Sequence, residues 1–141
     1  MAFMILFVGW GAILLWIALT DIFYRTISNT QIIIVISMGA ISCWIYGIGV
    51  HFFFPALLFL VGLVLWYRGL LGAGDVKLMG ALSLFINTDL LMSFLFVTSV
   101  VGAVIGIVIW GLSFYRKLEP SVPYGVGFCA SFLFFLPQLP Q

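Results

Sequence analysis

Apolar residues in this chain neither alternate with polar ones nor keep to one helical stripe. They run on, broken at wide intervals by charges and turn residues. Cutting at those breaks leaves six apolar stretches, at about residues 3–20, 29–48, 52–67, 75–86, 90–114 and 122–136. A spanning helix needs about 20 mostly apolar residues, because ~30 Å of hydrocarbon is crossed at ~1.5 Å per residue. Barrel strands would alternate apolar and polar positions. Runs such as 32–36 would suit a buried strand locally, but their extension to about 20 residues decides for helix. The pattern therefore predicts an all-α, polytopic membrane protein with six transmembrane helices in a single domain over residues 1–141. The fourth stretch is the shortest and carries Lys77 in its first turn, and the topology of everything after it depends on it.

Composition supports this. The chain is 65% hydrophobic and only 6% charged, where a soluble domain carries roughly 25% charge. Nine charges cannot cover the surface of a soluble fold of 141 residues. An aromatic content of 18% excludes disorder, and no basic stripe exists to meet nucleic acid. Membrane lipids are the expected surroundings. All five basic residues, Arg25, Arg68, Lys77, Arg116 and Lys117, fall on one side of the six-span arrangement. The positive-inside rule makes that side cytoplasmic and puts both termini outside, in the cytoplasmic (inner) membrane of a cell. The first stretch lacks a basic leader and a small-residue cleavage site, so it reads as a retained span.

Most reactive side chains have an ordinary explanation. Cys43 and Cys129 each lie inside a span without a Cys-x-x-Cys pair, so zinc and redox sites are not expected. His51, the single histidine, sits on the outer side. Phosphate-binding and dinucleotide-binding glycine motifs are absent from the sequence. No metal and no cofactor are implied. Asp89 stands alone outside, in a loop or capping the fifth helix with Thr88. Glu119 is placed to pair with Arg116 or Lys117. Gly102 and Gly106 form a Gly-x-x-x-Gly pair suited to close helix packing, within the chain or in a homo-oligomer. Trp10, Trp16, Trp44, Trp66 and Trp110 read as interface belt or core.

Asp21 and Asp75 remain. Asp21 closes the first span, Asp75 opens the fourth, and both are at the cytoplasmic end among apolar residues. Two carboxyls brought together in such a setting share a proton, giving one general base and one general acid. That pair can activate water against a peptide carbonyl. Gly72 and Gly74 precede Asp75, and glycine permits unusual backbone conformations and close approach. The plainer reading is a turn into the fourth helix with Asp75 as its N-cap. A different class of function also fits: a small ion- or proton-coupled membrane transporter using the same aspartates. Against it, both acids lie near one face, and no broken helix or inverted repeat is evident.

The segment Gly72-Ala73-Gly74-Asp75-Val76-Lys77-Leu78 resembles the Gly-x-Gly-Asp motif of intramembrane aspartyl proteases. Its Val-Lys-Leu continuation resembles the type IV prepilin peptidases. Residues 21–29, Asp-Ile-Phe-Tyr-Arg-Thr-Ile-Ser-Asn, are similar to that family's first aspartate motif, with Ser28 at the usual proline. Pro123-Tyr124-Gly125 is similar to its Pro-aromatic-Gly turn before the last span. The resemblance implies a membrane aspartyl endopeptidase with Asp21 and Asp75 as its dyad. The substrate would be a prepilin, cut just cytoplasmic to its hydrophobic helix for pilus or secretion-system assembly. Gly72 and Gly74 would give backbone freedom at the site. Arg25 and Lys77 would tune the dyad, hold substrate carbonyls, or anchor at lipid headgroups. Asn29 would either cap the second helix or orient Asp21. The chain begins directly with a span, like the short members serving tight-adherence (Flp-type) pili. Methyl transfer, which long members with Cys-x-x-Cys pairs add, is not among the expectations.

Overall fold

Uninterrupted apolar runs fold as helices in a membrane because a helix satisfies its own backbone polar groups without water. The computed structural model describes residues 2–47, 49–116 and 124–138. Among them the chain forms six helices: α1 (Ala2–Tyr24), α2 (Asn29–Tyr46), α3 (Phe53–Tyr67), α4 (Ala73–Ser83), α5 (Thr88–Arg116) and α6 (Tyr124–Phe135). A 3₁₀ turn, Leu136–Gln138, follows. Pro55 sits in the first turn of α3, where a missing N–H removes no helical bond. Lys117, Glu119 and Pro123 lie outside the described residues, and with them the ion pair expected for Glu119.

Three helices are long and apolar enough to cross a membrane: Met4–Tyr24, Asn29–Tyr46 and Thr88–Gly111. The α3 and α6 helices are apolar but shorter. The α4 helix has 11 residues and rises about 16 Å, roughly half the hydrocarbon depth. It is also the most enclosed. It packs against α2, α3 and α6, and α6 in turn lies against α1 and α5. Val76, Leu78, Met79, Ala81 and Leu82 of α4 are all buried. A short helix bearing Asp75 and Lys77 is therefore held in place by its neighbours rather than by lipid.

The outer helices show the reverse distribution. Large apolar side chains such as Trp44, Phe96, Ile107 and Trp110 point outward and are exposed. A soluble monomer does not leave that much apolar surface uncovered; hydrocarbon is the solvent that suits it. Trp10 alone among the five tryptophans is buried, its ring tilted 44° against Phe132 at 4.7 Å, with its indole N–H donating to Ser42 Oγ at 3.1 Å.

Helix ends differ from the sequence expectation where local chemistry extends or stops them. The α1 helix does not end at Thr20 but runs one turn past Asp21. It stops at Arg25, whose φ of 54° is in the left-handed region. The α2 helix is capped by Ser28, not Asn29: Ser28 Oγ accepts from the Gln31 amide, and Gln31 Oε1 accepts from the Ser28 amide at 2.8 Å. This reciprocal pair is a capping box. The α3 helix closes on Gly69 at φ 72°, with the Leu70 amide donating back to Leu65 O at 2.9 Å. Thr88 and Asp89 lie inside the first turn of α5. Gly102 packs within the chain, its Cα 3.7 Å from where a Gly127 side chain would begin.

Candidate active site

Trp10, Leu14, Ile17 and Asp21 are all buried, and their spacing puts them on one face of α1. Asp21 thus continues the helix's core stripe with a carboxylate. It is only 6% exposed, and its Oδ2 has no hydrogen-bond partner among the described residues. A buried carboxylate oxygen without a partner is costly, so its survival in a core stripe asks for a use.

Asp75 reaches the same place from α4. Gly72 is the N-cap and Asp75 is three residues inside, so the expectation that Asp75 caps the helix is corrected. Its Oδ2 folds back over Gly72, 2.9 Å from where a Gly72 side chain would begin. Its Oδ1 is buried and unpartnered among the described residues. The charge of Asp21 acts on the Asp75 carboxylate.

The N-terminus of α6 joins the two. The Gly125 amide faces both carboxylates, and the Val126 amide faces Asp21. These are first-turn amides, which have no partner inside the helix. A larger residue here would have to displace its neighbours: a methyl group on residue 125 would stand 2.7 Å from Asp21 Oδ2 and 3.0 Å from Ile27 Cδ1. Ile27 fills the other side of the junction, since a methyl group on Gly74 would be 2.9 Å from Ile27 Cβ and 3.4 Å from its amide nitrogen. The α1–α2 loop is thereby wedged between the starts of α4 and α6.

The expected backbone freedom of Gly72 and Gly74 is not what they supply. Neither has a positive φ, and Gly74 lies within the first turn of α4. What the small residues allow is close approach, Gly74 to the loop backbone and Gly72 to the Asp75 carboxylate.

A polar clamp fixes the loop from below. Gln31, 2% exposed, donates from Nε2 to Thr20 Oγ1 at 2.8 Å while Oε1 holds the Ser28 amide. Thr20 Oγ1 donates onward to Ile17 O at 2.9 Å. The residue before Asp21 is therefore tied to the residue after Ile27. The roles of Gln31, Ile27 and Gly125 were not anticipated. The Ser28-x-x-Gln31 spacing of a capping box was the signal available for Gln31.

The remaining candidates divide. Arg25 is exposed, and its charge acts on the Asp21 carboxylate. Lys77 and Asn29 instead pair with each other, Nζ to Oδ1 at 2.9 Å. Asn29 thus neither caps α2 nor holds Asp21. Lys77 lies about 200° round α4 from Asp75 and points away from the two acids.

Comparison with known proteins agrees with the motifs. Searches of curated proteins and of solved structures gave no match. The family model described as the type IV leader peptidase family matches residues 5–107, taking in both aspartates but ending before Gly125. Since that match covers most of the 141 residues, the chain belongs to the type IV leader peptidase family.

Proposed function

We propose that the protein is a membrane aspartyl endopeptidase that removes the basic leader of prepilins, with Asp21 and Asp75 as its catalytic dyad. The observation that carries this is that the Gly125 amide faces both carboxylates, Asp21 buried and Asp75 half-buried, and each keeps a buried oxygen unpartnered among the described residues. Two carboxyls so placed hold one proton between them. The ionised member takes a proton from water as the water oxygen adds to the peptide carbonyl. The protonated member gives its proton to the carbonyl oxygen. Collapse breaks the C–N bond, and the leaving nitrogen takes up a proton.

The proposed orientation puts the ends bearing Arg25, Arg68 and Lys77 at the cytoplasmic face, with both termini outside. All six helices are embedded, and the α4 crossing is completed by the stretch 84–87, where Phe85 and Ile86 are buried. The dyad then lies where a prepilin leader meets its own hydrophobic helix, in service of pilus or secretion-system assembly.

Co-expression with candidate prepilins tests the reading. Wild type should shorten the prepilin, and Asp21→Asn and Asp75→Asn should each leave it uncut while still inserting. Near-normal cleavage by either variant defeats the dyad. Several prepilins left intact by wild type, with ion flux that depends on both aspartates, would transfer the assignment to a small transporter.

A further inference from the structure

The far side of α4 carries a second feature that the dyad does not use. Lys77, Gly80, Ala81 and Leu84 lie about 140–240° round the helix from Asp75. They floor an open groove of about 340 Å³. Ile32 and Ile36 of α2 form one wall, and Pro55, Ala56 and Phe59 of α3 the other. Both walls pack on α4, while α2 against α3 is not among the main packing pairs. The groove is the gap between them. Every lining residue except Lys77 is uncharged.

We infer that this groove binds one acyl chain of an anionic phospholipid, with the headgroup phosphate on Lys77. A hydrocarbon chain matches the groove in chemistry: its lining is apolar along the roughly 10 Å from Lys77 to Leu84, and it is open on one side. The charge fits as well: the one hydrogen bond of Lys77 among the described residues is to the neutral Asn29 amide, so no acid among those residues neutralises its charge. Asn29 holds the ammonium at the groove's end, where a phosphate oxygen can take the remaining donors. The outward apolar surface places the groove against lipid.

The test uses the full chain, purified in detergent and exchanged with phosphatidylglycerol or phosphatidylcholine of identical acyl chains. Native mass spectrometry reads the bound lipid. Wild type should retain one phosphatidylglycerol with about fivefold preference, the worth of one lysine near an anionic headgroup. Lys77→Gln should lose the preference, and Lys77→Arg should keep it. Ala56→Phe, on the exposed wall, should displace the chain of either lipid. Inorganic phosphate should not compete, because the chain supplies most of the binding. Equal retention by wild type, Lys77→Gln and Ala56→Phe overturns the inference. So does photocrosslinking from position 56 that captures a prepilin helix in place of lipid.

Discussion

Asp21 and Asp75 meet at one point but are held by opposite means. Asp21 belongs to a long helix that would cross a membrane unaided, and it extends that helix's buried stripe. Its place is fixed locally, by the Gln31–Thr20 clamp one residue away. Asp75 belongs to an 11-residue helix that owes its position to α2, α3 and α6. One acid is secured by its own helix and the other by its neighbours. The difference teaches where each can be disturbed: Asp21 through nearby hydrogen bonds, Asp75 through distant packing.

The strongest way to break the symmetry of the pair is to neutralise one member. Asp21→Asn and Asp75→Asn should each lower leader removal by roughly 10²–10⁴-fold, the usual worth of a general acid or base, in a cleavage assay with purified prepilin. Equal losses would mean a shared proton; a large loss at only one would mean a single acting carboxylate. The rate of wild type should be bell-shaped in pH, because it needs one carboxyl protonated and the other ionised. A flat profile would break the dyad.

Next in size is the junction. Gly125→Ala puts a methyl group 2.7 Å from Asp21 Oδ2 and 3.0 Å from Ile27. Overpacking of that kind costs about 1–3 kcal/mol, readable as a lower Tm in detergent, and cleavage should fall further than stability does. Gly74→Ala meets Ile27 Cβ at 2.9 Å, an atom fixed to the backbone. Ile27→Ala should relieve that clash in the double variant, which a cycle of Tm values checks.

Smaller again is the clamp. Gln31→Ala leaves the Ser28 amide and Thr20 without their partner, at a cost of about 1–3 kcal/mol. Ser28→Ala removes only the cap, at about 1 kcal/mol. Both should impair Asp21 more than Asp75. A rescue experiment sharpens this: Gln31→Glu keeps the acceptor for the Ser28 amide but not the donor to Thr20, and should recover part of the loss.

The sequence carried the helical architecture because runs of apolar residues leave few alternatives in lipid. It carried the two aspartates because charges are scarce: of nine, few lack a structural explanation. The length of α4 was less legible, since its apolar run continues through Leu84, Phe85 and Ile86 while the helix ends at Ser83. Hydrophobicity marks burial, and here burial outlasts the helix. The split between Lys77 and Asp75 follows from helix phase, which becomes informative once the neighbours on each face are known. Gly125 stands out in the sequence only as the end of the Pro123-Tyr124-Gly125 motif; its part in the site is not legible there, because it lies in contacts with residues about a hundred positions earlier, Asp21 and Ile27.

That distance has a consequence for the order in which the protein is made. The ribosome delivers Asp21 first, Asp75 midway and the Gly125 amide last. Until α6 emerges and slots between α1 and α5, the two acids have no common anchor and α4 lacks one of its three supports. A chain ending at Arg116 should therefore insert both aspartates and cut nothing, as pulse-labelling with a co-expressed prepilin would reveal. On the proposed reading, the dyad gains its common anchor only once α6 has been made.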